Sequence, residues 1–426
     1  MHELFNPLYT SHSRYFLLTG GRASLKSSNV HEFIAKLTHQ AGHGILFTRY
    51  TMTSAEKSII PEFKNIATRL GLDHNFHFTK NMVRNKRNDS FILFSGIKTS
   101  PGDQTANLKS IAGITTWVIE EGEDFKDEKT FNTIDDSIRA QHHQNRIIWI
   151  QNPTTKEHFI YQRMIAPNFR KIRLHGYDVT VSNVPGIEHI HSSYHIARQY
   201  LDPSWLEKAD RHQIQAEDEH AIWLATDGEE GQEKHRSYYY YNYIGGWLEK
   251  AEGVIFENWL EGEFDNSLPA IYGLDFGYFP DPTALVCLAV DEKRKIIYLR
   301  ELLHEYKLST GQIISLTMQA VSHPNALIVA DSTEKRTIAD MAKARLNVIP
   351  AVKGPDSVRA GLVKMQGYTL VVDPESHNLK KELNNYVWND RKSTTPVDDY
   401  NHLIDAARYA FMRLAGKKTR GVRRRN

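Results

Sequence analysis

The sequence predicts two α/β domains joined by a small helical linker, and three observations support this architecture. Residues 1–165 alternate apolar strands with helical segments, which is typical of a parallel sheet. Residues 166–266 lose that alternation and are rich in His and Tyr. Residues 267–415 contain a second series of strands and end in a helix, and a basic tail follows over 416–426.

Length, charge and cysteine content limit the class of protein. A chain of 426 residues is too long for one ordinary core, and its 40% hydrophobic and 24% charged residues are typical of a globular protein. The net charge of +2 excludes a strongly basic molecule, so any nucleic-acid surface must be local. A single cysteine, Cys287, excludes an internal disulfide framework. Without a signal peptide or an apolar run of bilayer length, we expect a cytoplasmic protein with no membrane contact.

The first chemical signal is a strand, a glycine turn and a helix start over residues 14–29. Gly20 begins the turn, and Lys26 and Ser27 end it at the spacing of the consensus G-x-x-x-x-G-K-[ST]. Leu25 replaces the second glycine of that consensus. The alternative is an ordinary turn with a lysine at the helix start.

A phosphate-binding loop uses successive backbone N–H groups and a helix N-terminus to hold an anion. In this interpretation Lys26 reaches the β- and γ-phosphates of ATP, and the Ser27 hydroxyl ligates Mg²⁺. The predicted ATP-binding residues of the loop are Gly20, Gly21, Arg22, Ala23, Ser24, Leu25, Lys26, Ser27 and Ser28.

Strand and helix signals continue after the loop. A helix over 29–40, a strand over 44–50 and a helix over 54–70 are followed by a hairpin over 76–95. The hairpin has a basic tip, residues 84–87, which we interpret as a solvated turn rather than a polyanion contact.

Two further strands end in polar residues suited to ATP hydrolysis. The strand over 115–121 ends in Glu120 and Glu121. The first carboxylate is predicted to hold the Mg²⁺ shell, and the second to activate the attacking water as general base. The strand over 146–153 ends near Asn152, which we expect beside the γ-phosphate. Together with the loop, these residues predict a P-loop ATPase domain with a parallel sheet.

The C-terminal domain carries three acids in a recognisable order. Asp275 lies near the end of its first strand, Asp331 ends a later strand, and Asp405 lies on the final helix with Tyr409 on the same side. This order is typical of RNase H-like nucleases, in which carboxylates share two Mg²⁺ or Mn²⁺ ions. Each aspartate alone is equally typical of a turn cap. We interpret Asp281 as a turn residue, and leave open a supporting role for three other acids: Glu334, Asp398 and Asp399.

The chain resembles the large terminase subunit of tailed bacteriophages, the DNA-packaging motor. The resemblance rests on the loop residues 20–27, on 117–121 (WVIEE) and on 149–153 (WIQNP). It extends to the second domain through 274–277 (LDFG) and 404–410 (IDAARYA).

This resemblance implies ATP-driven movement of double-stranded DNA into a procapsid and endonucleolytic cutting of the concatemer. It implies three protein contacts: a portal protein, a small terminase subunit, and further copies of the chain in a ring on the portal. It places the protein in the host cytoplasm and the linker region between motor and nuclease. It also suggests Lys109, in 107–110 (NLKS), as a catalytic residue that reaches a neighbouring subunit's ATP site, with Arg49 and Arg139 as alternatives.

Two other functional classes fit the same residues. One is a repair or recombination enzyme that couples an ATPase to an RNase H-like resolvase. The other is a nucleotide-gated assembly protein whose acids are structural.

Overall fold

The structure is a computed structural model that describes residues 2–51, 56–98, 113–226, 237–251, 253–257, 259–323, 325–354, 356–389 and 392–416. Its contacts divide the chain into two compact units, Met1–Leu248 and Glu249–Asn426. Among the helices of these described ranges, none has both the length and the apolar character needed to cross a membrane.

The described residues of the first unit form ten strands: β1 (Tyr15–Gly20), β2 (Gly44–Thr51), β3 (Phe76–Phe78), β4 (Met82–Asn85), β5 (Phe91–Lys98), β6 (Ile114–Ile119), β7 (Arg146–Ile150), β8 (Phe169–Leu174), β9 (Tyr177–Ser182) and β10 (Ile187–Ser192). Eight of them form one sheet in the order β10-β1-β7-β6-β2-β5-β4-β3. The neighbours from β10 to β5 pair in parallel, whereas β4 and β3 add antiparallel strands at one edge. This arrangement confirms the predicted parallel sheet.

The helices of the first unit are α1 (Pro7–Thr10), α2 (Lys26–Leu37), α3 (Ile59–Arg69), α4 (Glu128–Asp135), α5 (Phe159–Met164) and α6 (Pro203–Thr226). Short 3₁₀ turns cover Glu3–Phe5, Asp73–Asn75, Gly122–Asp124 and Tyr194–Tyr200, and a π turn covers Tyr240–Ile244. Both faces of the sheet are buried, since Phe16 and Leu18 of β1 pack in one apolar cluster and Leu17 in another. A parallel sheet covered on both faces needs apolar residues at consecutive positions, as β1 has.

The region 166–266 is not the helical connector that the sequence predicts. It begins with the antiparallel hairpin β8–β9, and β10 then pairs with β1 inside the large sheet. The sequence of β10 does not show the apolar alternation of a strand, because its inward-facing positions include His189 and His191. These two histidines face Thr19 of β1 and form hydrogen bonds with it. The tyrosine run, residues 238–243, is mostly core: Tyr239 and Tyr240 are buried, while Tyr238 is exposed.

In the second unit, the part of the chain that the structure describes contains nine strands: β11 (Trp259–Glu261), β12 (Ala270–Asp275), β13 (Thr283–Asp291), β14 (Ile296–Glu305), β15 (Ile328–Ala330), β16 (Val348–Pro350), β17 (Thr369–Val372), β18 (Trp388–Asn389) and β19 (Lys392–Pro396). Seven form a sheet in the order β11-β17-β14-β13-β12-β15-β16, and β18 pairs with β19. The central β12, β13 and β14 are antiparallel, and the flanking pairs are parallel. The mixed sheet confirms the predicted β-rich start and the later strand.

Within its described ranges the second unit has five helices: α7 (Thr310–Ala320), α8 (Lys335–Lys343), α9 (Ser357–Gln366), α10 (His377–Asn385) and α11 (His402–Gly416). Gly273 of β12 explains how closely α11 approaches, since a Cβ at this position would lie 1.8 Å from the carbonyl oxygen of Ala406. A side chain at Gly273 would therefore push the helix off the strand. This contact brings Asp405, next to Ala406, towards Asp275 at the end of the same strand.

Candidate active sites

The loop between β1 and α2 has the backbone of a phosphate-binding loop despite its missing glycine. Leu25 has a φ of 62°, in the left-handed region, and Ala23 has a φ of 57°. Leu25 thus adopts a conformation that favours glycine, at a strain cost of about 1–3 kcal/mol for a residue with a side chain. The first turn of α2 begins directly after it, at Lys26.

Lys26 is buried, and its amine lies against the loop backbone. Its Nζ is 2.9 Å from the carbonyl oxygens of Gly20 and Gly21 and from the Ser24 hydroxyl, and 3.1 Å from Asn152 Oδ1. Burial lowers the pKa of Lys26 to about 8, against the opposing charges of Glu123 and Glu120. Lys26 and Asn152, from two predicted motifs, therefore meet at one point.

A cavity of about 530 Å³ opens over this loop. Its walls come from the loop, from the ends of β6 and β7, from β2 and from the residue after the turn Tyr194–Tyr200: Gly21, Arg22, Ala23, Ser24, Leu25, Lys26, Ser27, Ser28, Arg49, Glu120, Glu121, Glu123, Ile150, Gln151, Asn152 and Leu201. The predicted loop residues after Gly20, both glutamates and Asn152 therefore surround one cavity. Gly20 lies at the end of β1 beneath it.

Glu120 and Glu121 differ in their surroundings although they are adjacent. Glu120 is 5% exposed and hydrogen-bonded to the Ser27 side chain. Burial raises the pKa of Glu120 to about 7, while the bond with Ser27 opposes the rise. Glu121 has a φ of 52°, and its more exposed carboxylate pairs with Arg49. Burial raises the pKa of Glu121, and Arg49 opposes the rise.

Glu123 is a member of this site that the sequence analysis missed. Its carboxylate accepts hydrogen bonds from the Asn152 backbone N–H at 3.3 Å and from the Asn152 side-chain amide at 3.0 Å. Burial raises the pKa of Glu123 to about 7. The only signal for Glu123 in the sequence is that three acids lie within four residues after β6. Spacing alone does not distinguish Glu123 from Asp124.

The end of the tyrosine run and the first glycine after it, residues 242–245, pack directly on the loop. The Arg22 N–H donates to the Asn242 carbonyl at 2.9 Å, and a Cβ on Gly21 would lie 2.2 Å from the Tyr243 carbonyl oxygen. Gly245 has a φ of 88°, and a Cβ there would lie 2.5 Å from Gly20 and Gly21 backbone atoms. The close approach of two backbones requires glycines at these positions.

A chain of hydrogen bonds connects this segment to β1 and β10. His191 Nε2 donates to the Ile244 carbonyl at 2.9 Å, and its Nδ1 lies 2.8 Å from the Thr19 hydroxyl. The same hydroxyl lies 2.7 Å from Nε2 of His189. The other ring nitrogen of His189, Nδ1, accepts a hydrogen bond from the Ser182 N–H at 2.7 Å. Each bond fixes the tautomer of the next ring, so both histidines are neutral donors and acceptors.

In the second unit Asp275 lies at the end of β12 and is 8% exposed. His402 Nδ1 is 3.2 Å from its Oδ2, and the Tyr409 hydroxyl donates to its Oδ1 at 3.4 Å. Burial raises the pKa of Asp275, and the negative charges of Asp405 and Asp331 raise it further, while His402 opposes them. Asp331 and Asp405 are therefore both within electrostatic reach of Asp275.

The other two aspartates are each paired with a cation. Asp331 pairs with Lys353 and accepts bonds from the Thr333 hydroxyl and backbone N–H at 2.9 and 3.1 Å. Burial alone would raise the pKa of Asp331, but Lys353 and Thr333 hold it below its ordinary value. Asp405 pairs with Arg408 at 3.0 Å, and burial raises the pKa of Asp405 against that charge.

His402 is a second residue that the sequence analysis missed. It starts α11, contacts Asp275, and its Nε2 lies 3.6 Å from Asp281 Oδ1. Burial opposes its protonation, but the bond with Asp275 raises the pKa of His402 overall. Asp281 therefore contacts the site as well as forming a turn. A single histidine three residues before an acid is too common a pattern to single out.

Several predicted residues lie elsewhere. Lys109 lies outside the described residues, as do residues 417–426 of the basic tail. Arg139 is exposed, whereas Arg49 lines the cavity of its own chain. Asp398 and Asp399 border a cavity of about 370 Å³ that also reaches His402.

Two family models match the chain. One, described as phage terminase large subunit, matches residues 12–229, and the other, described as terminase RNAseH-like domain, matches residues 275–413. The terminase large subunit of Bacillus phage SPP1 is 28% identical over 436 residues, covering 96% of this chain and 94% of that protein.

Solved structures of large terminases are also similar. The nuclease domain of the SPP1 large terminase, solved with bound Mn, is 32% identical and covers 38% of this chain and 98% of that one, with a TM-score of 0.34. The large terminase of bacteriophage HK97 is 11% identical and covers 95% of this chain and 92% of that one, with a TM-score of 0.44. Because the first family model alone matches more than half of its residues, the chain belongs to the phage terminase large subunit family.

Proposed function

We propose that this large terminase subunit uses ATP hydrolysis in its first unit to move double-stranded viral DNA into the procapsid, and cuts the DNA concatemer with its second. The observation that carries this proposal is that, in each unit, side chains suited to one reaction lie close together. Lys26, Ser27 and Glu120 meet over one loop, and Asp275 lies within reach of two other aspartates.

The residues around the loop fit a nucleotide with Mg²⁺. The Lys26 amine rests on neutral carbonyl oxygens, and ATP phosphates would offer it charged acceptors in the same place. Ser27 and Glu120 share a hydrogen bond, and we assign them to the Mg²⁺ shell. Mg²⁺, when bound, neutralises charge on the β- and γ-phosphates.

Glu121 is the proposed general base of ATP hydrolysis. Its carboxylate is partly exposed at the cavity and pairs with Arg49. The ion pair fixes the position of the carboxylate, and water can still reach it. Glu121→Gln should bind ATP with unchanged affinity and lose hydrolysis, measured by fluorescent-nucleotide binding and phosphate release. Glu128→Gln, on an exposed residue of α4, is the matched control. Normal hydrolysis by Glu121→Gln would refute the assignment.

Lys109 remains the proposed residue that acts on a neighbouring subunit's ATP. Arg49 already pairs with Glu121 of its own chain, which favours a role within one subunit. Mixing Lys109→Ala with Glu121→Ala protein should restore some ATP hydrolysis, since each variant supplies the half-site that the other lacks. If no activity returns although both variants fold and assemble, the trans-acting residue is another one.

The three aspartates are the proposed ligands of two Mg²⁺ or Mn²⁺ ions. Their present partners show that these carboxylates accept positive charge, because Lys353 pairs with Asp331 and Arg408 pairs with Asp405. Divalent ions, when bound, activate water and stabilise the leaving oxygen of the DNA backbone. His402 and Tyr409 hold the two oxygens of Asp275 and so orient that carboxylate. Asp405→Asn should remove Mn²⁺-dependent plasmid nicking, while Asp340→Asn on α8 should retain it.

The proposed working parts follow the expected divisions. Residues 1–165 hydrolyse ATP, 166–266 serve as lid and linker, and 267–415 cut DNA, with the tail over 416–426 available to DNA phosphates. The contacts of Asn242 and Tyr243 with the loop support a lid role for the middle region.

The proposed partners are double-stranded DNA, a portal protein, a small terminase subunit and further copies of the chain in a ring, all in the host cytoplasm. A packaging motor should hydrolyse ATP faster when DNA and portal protein are added. A resolvase would instead prefer branched DNA for cleavage, and an assembly protein would show neither activity. ATP hydrolysis and cleavage of linear and four-way-junction DNA therefore separate the three classes.

A further inference from the structure

Three side chains converge on the buried side of α2, behind the phosphate-binding loop. His31 comes from α2, Glu62 from α3, and Glu120 from the end of β6. One ligand atom of each side chain lies within 4.8 Å of the other two. Three distant parts of the sequence therefore place an imidazole nitrogen and two carboxylate oxygens around one point.

His31 has no ordinary explanation as a core residue. Its side chain is 0% exposed, and neither ring nitrogen has a hydrogen-bond partner within the described parts of the chain. Its ring contacts Phe47 edge-on, with centroids 4.9 Å apart, and lies 6.3 Å from Phe63. Because a buried polar group without a partner costs free energy, such a group calls for a ligand.

Glu120 has a free oxygen in the same place. Its side chain bonds to Ser27, but its Oε2 is buried and has no hydrogen-bond partner in the described ranges. Glu62 is partly buried and bonds to the Ser28 side chain. The point between His31 and Glu120 is thus lined by electron-pair donors that the protein itself leaves unused.

The charges around this point also favour a cation. Glu62, Glu120 and Glu121 carry three formal negative charges, and Arg49, 3.9 Å from Glu120 Oε2, carries one positive charge. The three carboxylates outnumber Arg49 and the Lys26 amine, whose charge also interacts with Glu120, and unbalanced charge in a buried site is costly.

We propose that His31, Glu62 and Glu120 form a binding site for a divalent transition metal, with Zn²⁺ as the best match. One imidazole nitrogen and two carboxylate oxygens suit Zn²⁺, whereas Mg²⁺ prefers oxygen ligands alone. Zn²⁺ holds such atoms at about 2.0–2.2 Å, so the side chains must close slightly around the ion. Because Glu120 is shared with the nucleotide site, metal binding here would compete for the carboxylate that faces Ser27.

This proposal goes beyond ATP hydrolysis and is tested without nucleotide, so it stands or falls independently of the proposed function. The probe is Co²⁺, a spectroscopic substitute for Zn²⁺ whose visible absorption reports nitrogen and oxygen ligands. The protein is the untagged full chain with Asp275, Asp331 and Asp405 changed to Asn, so that the second unit does not take up metal. We expect one equivalent of Co²⁺ to bind, and Zn²⁺ to displace it and to raise the melting temperature.

Two variants remove ligands, and one serves as control. His31→Phe places an apolar ring beside Phe47 and Phe63 and should weaken Co²⁺ binding by at least about tenfold. Glu62→Gln should weaken it similarly. Glu32→Gln changes a carboxylate on the same helix that pairs with Lys36, and should bind Co²⁺ like the parent.

Melting curves without metal check that each variant folds. If His31→Phe does not fold, Glu62→Gln tests the proposed metal site instead. Absence of bound Co²⁺ in the folded parent overturns the proposal. Equal Co²⁺ affinity in the parent and in the folded ligand variants overturns it too, because the metal then binds elsewhere.

Discussion

Lys26 is identified by its motif, but its contacts involve residues both within the loop and far from it in the sequence. Its amine is within bonding distance of two carbonyl oxygens, the Ser24 hydroxyl and Asn152. The motif spacing is sufficient to identify Lys26, because the chemistry of a phosphate-binding loop requires a lysine at the helix start. The contact with Asn152 comes from a strand more than one hundred residues later, so only the motif of β7 suggests it.

Lys26→Ala should reduce ATP hydrolysis by about a hundredfold or more, because it removes the positive charge aimed at the phosphates. Mn²⁺-dependent plasmid cleavage should persist. Phosphate release and plasmid nicking on one preparation measure both effects.

Lys36→Ala is the control, since this partly exposed lysine lies on the same helix and pairs with Glu32, away from the loop cavity. Normal ATP hydrolysis by Lys26→Ala would mean that the loop does not bind the phosphates.

Leu25, Glu123 and His402 mark the limit of sequence reasoning at this scale. The missing second glycine suggests a loop without the left-handed conformation, yet Leu25 adopts it with a φ of 62°. Glu123 and His402 become recognisable only through their contacts with Asn152 and Asp275. Their types and spacing are common in sequences, and tertiary structure alone gives them a role.

At the scale of elements, the nuclease site depends on how α11 begins. The Glu382 carboxylate, from α10, accepts the backbone N–H groups of Leu403 at 3.0 Å and Ile404 at 2.9 Å. These are donors of the first turn of α11, which have no partner within the helix. Glu382 is 4% exposed, and its two hydrogen bonds fix the start of the helix that carries His402 and Asp405.

Glu382→Ala should destabilise the second unit by about 1–3 kcal/mol for each N–H left buried without a partner. It should also reduce Mn²⁺-dependent cleavage, because Asp405 loses its fixed position. Glu382→Gln keeps the volume and one acceptor oxygen and should lose less. Thermal melting and plasmid nicking provide the comparison.

Glu375→Ala, on a side chain that is 91% exposed, should behave as wild type. If Glu382→Ala melts and cleaves like that control, Glu382 does not position α11.

The strands were predictable where their apolar runs are uninterrupted, as in β1, β6 and β7. The strands between 169 and 192 were not, because β8 is largely exposed and β10 buries histidines instead of aliphatic residues. Hydrogen bonds with Thr19 compensate for burying His189 and His191, and periodicity of apolar residues does not detect that kind of burial.

At the scale of the molecule, the two units should respond differently to acid. Burial lowers the pKa of five histidines of the first unit, to about 3 for His31 and about 4 for His43, His158, His191 and His195, and it lowers the pKa of His189 well below the ordinary value. These rings stay neutral in the folded state but take up protons near pH 6.5 when unfolded. Their contribution to stability is therefore present above pH 6.5 and is lost as the pH falls below it.

Burial has the opposite effect on the acids whose pKa it raises. Four acids of the first unit oppose the six histidines but are outnumbered by them: the pKa of Glu120 and of Glu123 is raised to about 7, and the pKa of Glu62 and of Glu121 is raised as well. In the second unit burial raises the pKa of Glu382 to about 7, and it raises the pKa of Asp275 and Asp405. Such groups stabilise the fold below their unfolded pKa, and lose that contribution as the pH rises through the folded one.

Lowering the pH from about 7 to about 5 should therefore reduce the free energy of unfolding of the first unit more than that of the second. Hydrogen–deuterium exchange on the full chain, corrected for the intrinsic pH dependence of exchange, measures each unit separately. Faster exchange is expected in β1 and β10 at the lower pH, with less change in β12 and β13. Equal responses of the two units would contradict the assigned protonation states.

The most direct test of one chain with two separate chemical centres uses Asp275→Ala. ATP hydrolysis and Mn²⁺-dependent plasmid cleavage are measured on the same preparation, with thermal melting as the check of folding. Asp275 is within electrostatic reach of Asp331 and Asp405 and is held by His402 and Tyr409, whereas the ATP site has its own carboxylates. We predict that cleavage falls to background while ATP hydrolysis stays at the wild-type rate. Undiminished cleavage, or loss of both activities in a folded protein, would contradict two separate centres.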